Sequence, residues 1–571
     1  MILKRIFFII LMQQLALMYC NVKAEKTCSE IAYLQTDRTA YIAGESVFYK
    51  LYVLDEVSKK RSELSKVGYI VLRTTNSDVA LKFRVNIHEG MADGSLALPD
   101  TLTSGVYQIV AFTSAMKNLG DDHLFHKVIT VANRFDKALD FKLILSTLQD
   151  TVSSQKNSEL KISTDKSIYN CGEKVTVNLG RTNSKANVSV SVFEESKIPS
   201  IYKSIAQALN DSSISRDKNQ LTGYYSPESK GKILRGSVVD AKTKQKIKNA
   251  IVLLSCIDTI PNLEYAVTNS NGLFQMLLGE YYNGKELFLT IKNILENQNW
   301  EIRTEDEFAQ SEKWKPSLMS SNANIKEFIV KSQNLVYINK SYKLEKSVNS
   351  KQQTEPRIIV PRFYYCPVIT VLPSDFVPLD SFPEIAVEIL PQVRVIKEKG
   401  KYHVQLVNEL SRGHQNNDPV IFLDGVYLDD VNKIIKLGSE EIKKIDIITS
   451  ERAFGDLVYS GVISITTKTN EMINSKPASH SFRVKNDNIN SGANLVPDNS
   501  VPDKNSPFLR QLLYWNPNLG LNSTADTNFE FYTSDNSAKF IIKVEGISED
   551  GTPISASSAI QVENQINVTD K

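Results

Sequence analysis

Cys171 stands ahead of Gly172, Glu173 and Lys174 in a chain of 571 residues that holds five cysteines. A thiol three positions before a side-chain amide has the spacing of an internal thioester, in which the amide carbonyl acylates the sulfur. Lys174 offers an ammonium and no carbonyl, so the fourth position denies that chemistry. His123 and His126 have the spacing of one helical turn but lack the glutamate of a zinc-protease motif, and they fall at a strand boundary. His88, His403, His414 and His480 are scattered along the chain. Asp424, Asp429 and Asp430 present oxygens without the regular spacing around a glycine that a calcium loop uses. Gly-x-Ser-x-Gly, the Walker loop, Gly-x-Gly-x-x-Gly and paired CxxC are all missing from the sequence. The expectation is therefore no catalytic, cofactor-binding or metal-binding residue, and a protein that is not an enzyme.

What positions Cys171 is a repeat. TDRTAYIAGESVFYKLYV, from Thr36 to Val53, and TDKSIYNCGEKVTVNLG, from Thr164 to Gly180, align without a gap at Thr, Asp, a basic residue, a hydroxyl residue, Tyr, Gly, Glu and Val. Two copies of one supersecondary unit are implied. After each Tyr-x-x-Gly-Glu, apolar and polar residues alternate: Val47, Tyr49, Leu51 and Val53 in one copy, Val175, Val177 and Leu179 in the other. That is the period of a half-buried strand entered through a glycine turn at Gly44 or Gly172. Cys171 sits where the first copy has Ala43, so the turn does not require a thiol.

Both copies resemble the opening strands of macroglobulin-like β-sandwich domains, whose thioester-bearing members carry Cys-Gly-Glu-Gln. ILRGSVVDAKTKQKIKNAIVLLS and AVTNSNGLFQMLL, with Gly236, Val238, Asp240, Ala250, Val252, Thr268, Asn271, Gly272 and Phe274, resemble a carboxypeptidase regulatory-like domain. That resemblance implies a seven-stranded, non-catalytic, transthyretin-like sandwich. DPVIFLDGVYLDD, GSEEIKKIDIITSERA and VYSGVISITTK resemble the plug of TonB-dependent outer-membrane receptors. They place Leu423-Asp424-Gly425-Val426 at a strand end and Ile442, Ile445 and Ile447 on a following strand. A tail opening at Tyr514, Trp515, Asn516 and Pro517 is similar to a further macroglobulin-like sandwich. The order of these modules resembles envelope proteins of the Bacteroidetes.

The fold class expected is mainly β: a multidomain string of immunoglobulin-like or macroglobulin-like and transthyretin-like sandwiches plus a small α/β plug-like domain. The divisions are a signal peptide at 1–24, a sandwich at 25–135, a second at 155–225 with a trailing loop, the regulatory-like sandwich at 230–330, the plug-like domain at 355–470, a polar linker at 471–505, and a C-terminal sandwich segment at 506–571.

Lys4 and Arg5, an apolar run and Val22-Lys23-Ala24 read as a secretory signal. Export to the outer membrane, at its periplasmic face or at the cell surface, is the expected location, with Cys20 a poor lipidation site behind Tyr19. The cysteines then remaining, Cys28, Cys171, Cys256 and Cys366, fall in different modules, unlike a disulfide scaffold. With 67 Lys+Arg against 65 Asp+Glu, charge draws the chain to neither nucleic acid nor an acidic membrane. No later segment reaches the roughly 20 apolar residues of a transmembrane helix. The stretch after Lys468 is too short for a plugged barrel of about 22 strands. The function expected is non-enzymatic binding of a protein or outer-membrane partner through loops and sheet edges, as an accessory to a TonB-dependent system. Two alternatives remain: a thioester-less protease trap with 470–505 as its bait, and a transport component whose barrel comes from another chain.

Overall fold

The computed structural model describes residues 30–133, 135–136, 160–198, 203–211, 225–292, 298–308, 322–341, 367–398, 400–408, 413–414, 419–469, 481–487, 489–490 and 507–564. The signal segment 1–24, Cys20, Cys28, Cys366, His480 and most of 471–505 lie outside them. The protein is mainly β. It divides into two compact units, Met1–Ser229 with Phe308–Gln352 and Asn490–Lys571, and Lys230–Glu307 with Gln353–Ile489.

The first unit opens with β1 (Glu30–Thr36), β2 (Ala40–Ile42), β3 (Ser46–Asp55), β4 (Val67–Arg73), β5 (Val79–Asn86), β6 (Met91–Ala97), β7 (Gly105–Thr113) and β8 (Phe125–Ala132). A sheet ordered β1-β3-β6 faces a larger one whose first five strands run in the order β2-β8-β7-β4-β5. Tyr49, Leu51, Ile70, Leu72, Ile109 and Ile129 fill the space between them. Four strands of a second sandwich follow: β9 (Ile162–Thr164), β10 (Ile168–Asn170), β11 (Lys174–Leu179) and β12 (Ala186–Glu194). The helix α1 (Ile205–Asp211) then packs Ile205 and Leu209 against Ile31, Tyr33 and Tyr52.

The second unit contains β13 (Lys232–Asp240), β14 (Ile251–Cys256), β15 (Glu264–Val267), β16 (Leu273–Leu278), β17 (Leu287–Ile291) and β18 (Trp300–Thr304). The helix α2 (Asn322–Ser341) belongs to the first unit, not to the end of a 230–330 module. The second unit resumes with β19 (Ile369–Val371), α3 (Phe382–Ile389), β20 (Val393–Glu398), β21 (Lys401–Asn408), β22 (Gly413–His414), β23 (Val420–Leu423), β24 (Val426–Leu428), α4 (Asn432–Ile435), β25 (Ile442–Ile448), β26 (Arg452–Phe454), β27 (Leu457–Tyr459), β28 (Val462–Thr467) and β29 (Ser481–Val484). Here the expected linker departs from expectation. β29 pairs with β17, and with it the sheets β16-β13-β18 and β15-β14-β17-β29 make seven strands. Asn486 then bonds the Tyr282 carbonyl at 2.6 Å and Lys232 at 2.9 Å.

The sheet β19-β25-β28-β23-β24 is not a separate bead either. Leu253 and Leu263 share one core with Val420, Phe422, Ile448 and Val462. The β23–β24 turn explains the closeness. Gly425, at φ +84°, lies so near the backbone of Asp258 that a Cβ there would meet its carbonyl oxygen at 2.5 Å. Asp424, at φ +50°, accepts from the Thr467 amide at 2.7 Å and hydroxyl at 2.9 Å.

After β30 (Ile489–Asn490), the chain returns to the first unit with β31 (Leu512–Leu521), β32 (Thr527–Tyr532), β33 (Ala538–Ser548) and β34 (Pro553–Glu563). These strands are not the separate sandwich expected at 506–571. They complete the one begun at 160, in sheets β9-β11-β32 and β10-β34-β33-β12-β31. This order repeats the first sandwich strand for strand: the pairs β2–β8 and β10–β34 are parallel, and the remaining equivalent pairs are antiparallel. The reason is burial. Val188, Val190 and Val192 of β12 need Tyr514, Phe529, Phe531, Phe540 and Ile542 to form a closed core.

Candidate functional site

The repeated motif builds the same hydrogen-bonded cluster twice. Tyr41 donates to Asp37 Oδ1 at 2.8 Å and Tyr169 to Asp165 Oδ1 at 2.7 Å. The same carboxylate oxygens accept the amides of Phe48 at 3.0 Å and Thr176 at 3.1 Å, tying the turn to the following strand. Thr36 and Thr164 donate to the carbonyls of Arg38 and Lys166 at 2.6 Å each. Arg38 pairs with Glu45 at 3.0 Å, and Lys166 pairs with Glu173. Each glutamate also accepts an amide of its edge strand, Ile42 at 2.8 Å and Asn170 at 2.7 Å. The motif residues are thus structural in both copies.

The surroundings separate the copies. Asp37 is fully buried, and burial pushes its carboxyl up to about 6 against the pull of Arg38, Tyr41 and the Phe48 amide. At Asp165 burial again raises the carboxyl, but Tyr169 and the Thr176 amide together outweigh it, and the carboxyl is held below its usual value. Burial opposes the charge of Arg38, but Glu45 and Asp37 raise its pKa all the same.

Arg38 is also where the first copy meets an opening. It donates to Gln511 at 2.9 Å and, with Thr39 and Ala40, forms one wall of a cleft of about 740 Å³. The second sandwich lines it with Phe193 to Ile198 and Ser537 to Lys539, and α2 with Glu327, Phe328 and Lys331. Ala40, Ile198 and Phe328 give it an apolar floor and belong to one cluster with the buried Ile329. Around it the charges are matched: Lys331 with Glu194, Lys197 with Glu327 at 2.8 Å, Lys539 with Glu195 at 2.9 Å. Gln511 donates to Ser332 of α2 at 3.1 Å. An apolar floor inside a rim of paired charges suits a ligand that offers both apolar side chains and backbone polar groups.

The residues weighed from sequence are not gathered here. Cys171 is a free thiol in the β10–β11 turn, pushed above its usual pKa by burial and by Asp535. Lys174 pairs with Glu530 at 2.7 Å. His126 stands 2.9 Å from the Asp121 carbonyl and 3.3 Å from Arg73, while His123 is exposed in a 3-10 turn. His88 and His403 are exposed, and His414 lies on β22. Asp424 is turned inward to Thr467, whereas Asp429 and Asp430 are exposed. Among the described residues no cluster of three or more His, Cys, Asp or Glu is placed to hold a metal. No helix among them is long and apolar enough to cross a membrane. The cleft escaped sequence reading because its walls come from five separated stretches whose charges look like ordinary solvated ones.

No family model and no curated protein matches the sequence. Among solved structures, Escherichia coli alpha-2-macroglobulin activated by porcine elastase is similar at 8% identity and a TM-score of 0.25, over 94% of this chain and 44% of that one. The trypsin-activated form from Escherichia coli gives 11% identity and 0.23, over 94% and 41%. The Yersinia pseudotuberculosis adhesin InvE gives 12% and 0.13, over 48% and 58%. The chain spans less than half the length of these macroglobulin chains, and likeness at such scores carries no functional weight.

Proposed function

We propose that this protein is a non-enzymatic binding protein of the bacterial envelope, exported and held at the outer membrane, which takes an extended segment of a partner polypeptide into the cleft between its two first-unit sandwiches. The observation that carries the reading is the cleft itself: an apolar floor of Ala40, Ile198 and Phe328 within a rim of paired charges. Such a surface gains from burying apolar side chains, and its charges, already paired, spare a neutral ligand the cost of leaving an ion unmatched. Service beside a TonB-dependent receptor is the finer proposal and rests on the sequence resemblance at 418–468.

Photo-crosslinking in intact cells tests it. A crosslinkable amino acid at Ser196 or Ser537 is expected to capture a discrete envelope protein, and one at the 86%-exposed Val57 is not. Equal capture at all three positions, or none at the cleft, overturns the reading.

A further inference from the structure

Lys50 leaves β3 on the face that meets the second sandwich, and there it meets an asparagine. Its Nζ donates to Oδ1 of Asn518 on β31. Asp93, the cross-strand partner of Lys50 on β6, accepts from Asn518 Nδ2 at 2.9 Å, and the same carboxylate oxygen lies 3.6 Å from Nζ. An amine, a carboxamide and a carboxylate thus converge, each within reach of the other two. The sequence arranges this through a bulge. Pro517 has no N–H, and the pairing of β31 with β12 slips between Leu519 and Asn516. Asn518, at the bulge, reaches β3 instead of pairing with β12, and its own amide is held by Asn516 Oδ1 at 2.9 Å. Around the group the contact is closed: Tyr33 donates to Glu545 at 2.6 Å, Tyr52 is hydrogen-bonded to Ser189 at 3.1 Å, and the rings of Phe48 and Trp515 stand 6.5 Å apart. Lys50 is 1% exposed, while Asn518 keeps an exposed side.

We propose that Lys50 and Asn518 join as an intramolecular isopeptide, a covalent tie between the two sandwiches of the first unit. The Nζ lone pair attacks Cγ of Asn518, a new Nζ–Cγ bond forms, the Cγ–Nδ2 bond breaks, and ammonia leaves by the exposed side. Asp93 takes the proton that Nζ sheds and passes it to Nδ2, ending as the carboxylate it began. Nothing is oxidised or reduced, and no co-reactant is consumed. The hydrogen bond to Oδ1 holds the amine close to the roughly 3–3.5 Å from Cγ at which positioned groups react, and the fixed strands supply the effective concentration. Burial lowers the Lys50 amine to about 8, against the pull of Asp93 and with Arg61 adding, which makes the attacking neutral form accessible. Once acylated, Lys50 no longer titrates. The tie fixes the spacing between the cleft residues of the first sandwich, Arg38 to Ala40, and those of the second, Ser537 to Lys539, whatever the cleft binds.

Intact-mass measurement of the denatured protein tests it. The chain is expected to weigh one ammonia less than its sequence requires, and a protease digest to yield a branched peptide joining the stretches around Lys50 and Asn518. Asn518→Ala, at an exposed position, and Asp93→Asn, which keeps the shape but carries no proton, are each expected at full mass without the branched peptide. Full mass in the unaltered protein overturns the proposal. So does loss of ammonia without the branched peptide, the result of succinimide closure at an asparagine. A branched peptide that persists in Asp93→Asn refutes the part given to the carboxylate.

Discussion

Asp37 and Asp165 perform one task in two settings, and the difference can be measured. Asp37→Ala leaves the Phe48 amide without its side-chain acceptor and the buried Tyr41 hydroxyl with the Arg38 carbonyl alone, 2.6 Å away, costing about 1–3 kcal/mol. Asp165→Ala exposes its donors to water and lowers the melting temperature less. Titration follows the same logic. The pKa of Asp37 is raised to about 6, so its contribution to stability is full below the ordinary 3.8 and is lost as pH rises through 6. Lys50 and Lys127 are buried, and burial lowers them to about 8 and about 7, so the folded state binds fewer protons than the unfolded one and stability rises from about pH 7 toward 10. Together these groups place a minimum in stability between pH 6 and 7. Denaturant titrations from pH 4 to 10 check this, and a curve without a minimum contradicts it. Gly425→Ala forces a Cβ into the Asp258 backbone at a left-handed position, so a loss of at least about 1–2 kcal/mol is expected in thermal melts.

Strands were legible where one face stays wet. β11 keeps the alternation read from Val175, Val177 and Leu179. β3 does not, because Tyr52 and Leu54 on its outer face are covered by Ile547 and α1, so a strand read as half-buried is buried on both faces. The alternation of apolar and polar residues in FEFYT and KFIIKVEGIS marks both as strands, but nothing in a strand's own residues names its partner. Phe529 pairs with Val177, and Glu173 bonds Thr533 at a separation of 360 positions. SFRV was hidden in a polar tract, and Phe482 remains 42% exposed even when paired. The consequence is testable by truncation. A chain ending at residue 505 is expected to retain the 30–133 sandwich but lose the 160–194 strands to proteolysis. Resistance of both segments would show that the second sandwich closes without β31–β34.

The entire second unit lies between β12 and β31, neighbours in one sheet, and at the root of this excursion the Glu194 amide bonds the Gln511 carbonyl at 2.7 Å. The second sandwich is therefore a host interrupted at a hairpin, whereas the first is continuous. Closing such a long excursion is entropically tolerable, since each doubling of loop length adds only about 0.6 kcal/mol, but it is slow. As the chain emerges from its amino end, Val188, Val190 and Val192 are made long before the phenylalanines that will cover them. During that interval the nascent protein carries an unfinished greasy edge, the kind of surface chaperones shield, and its maturation waits on the emergence of β31 to β34.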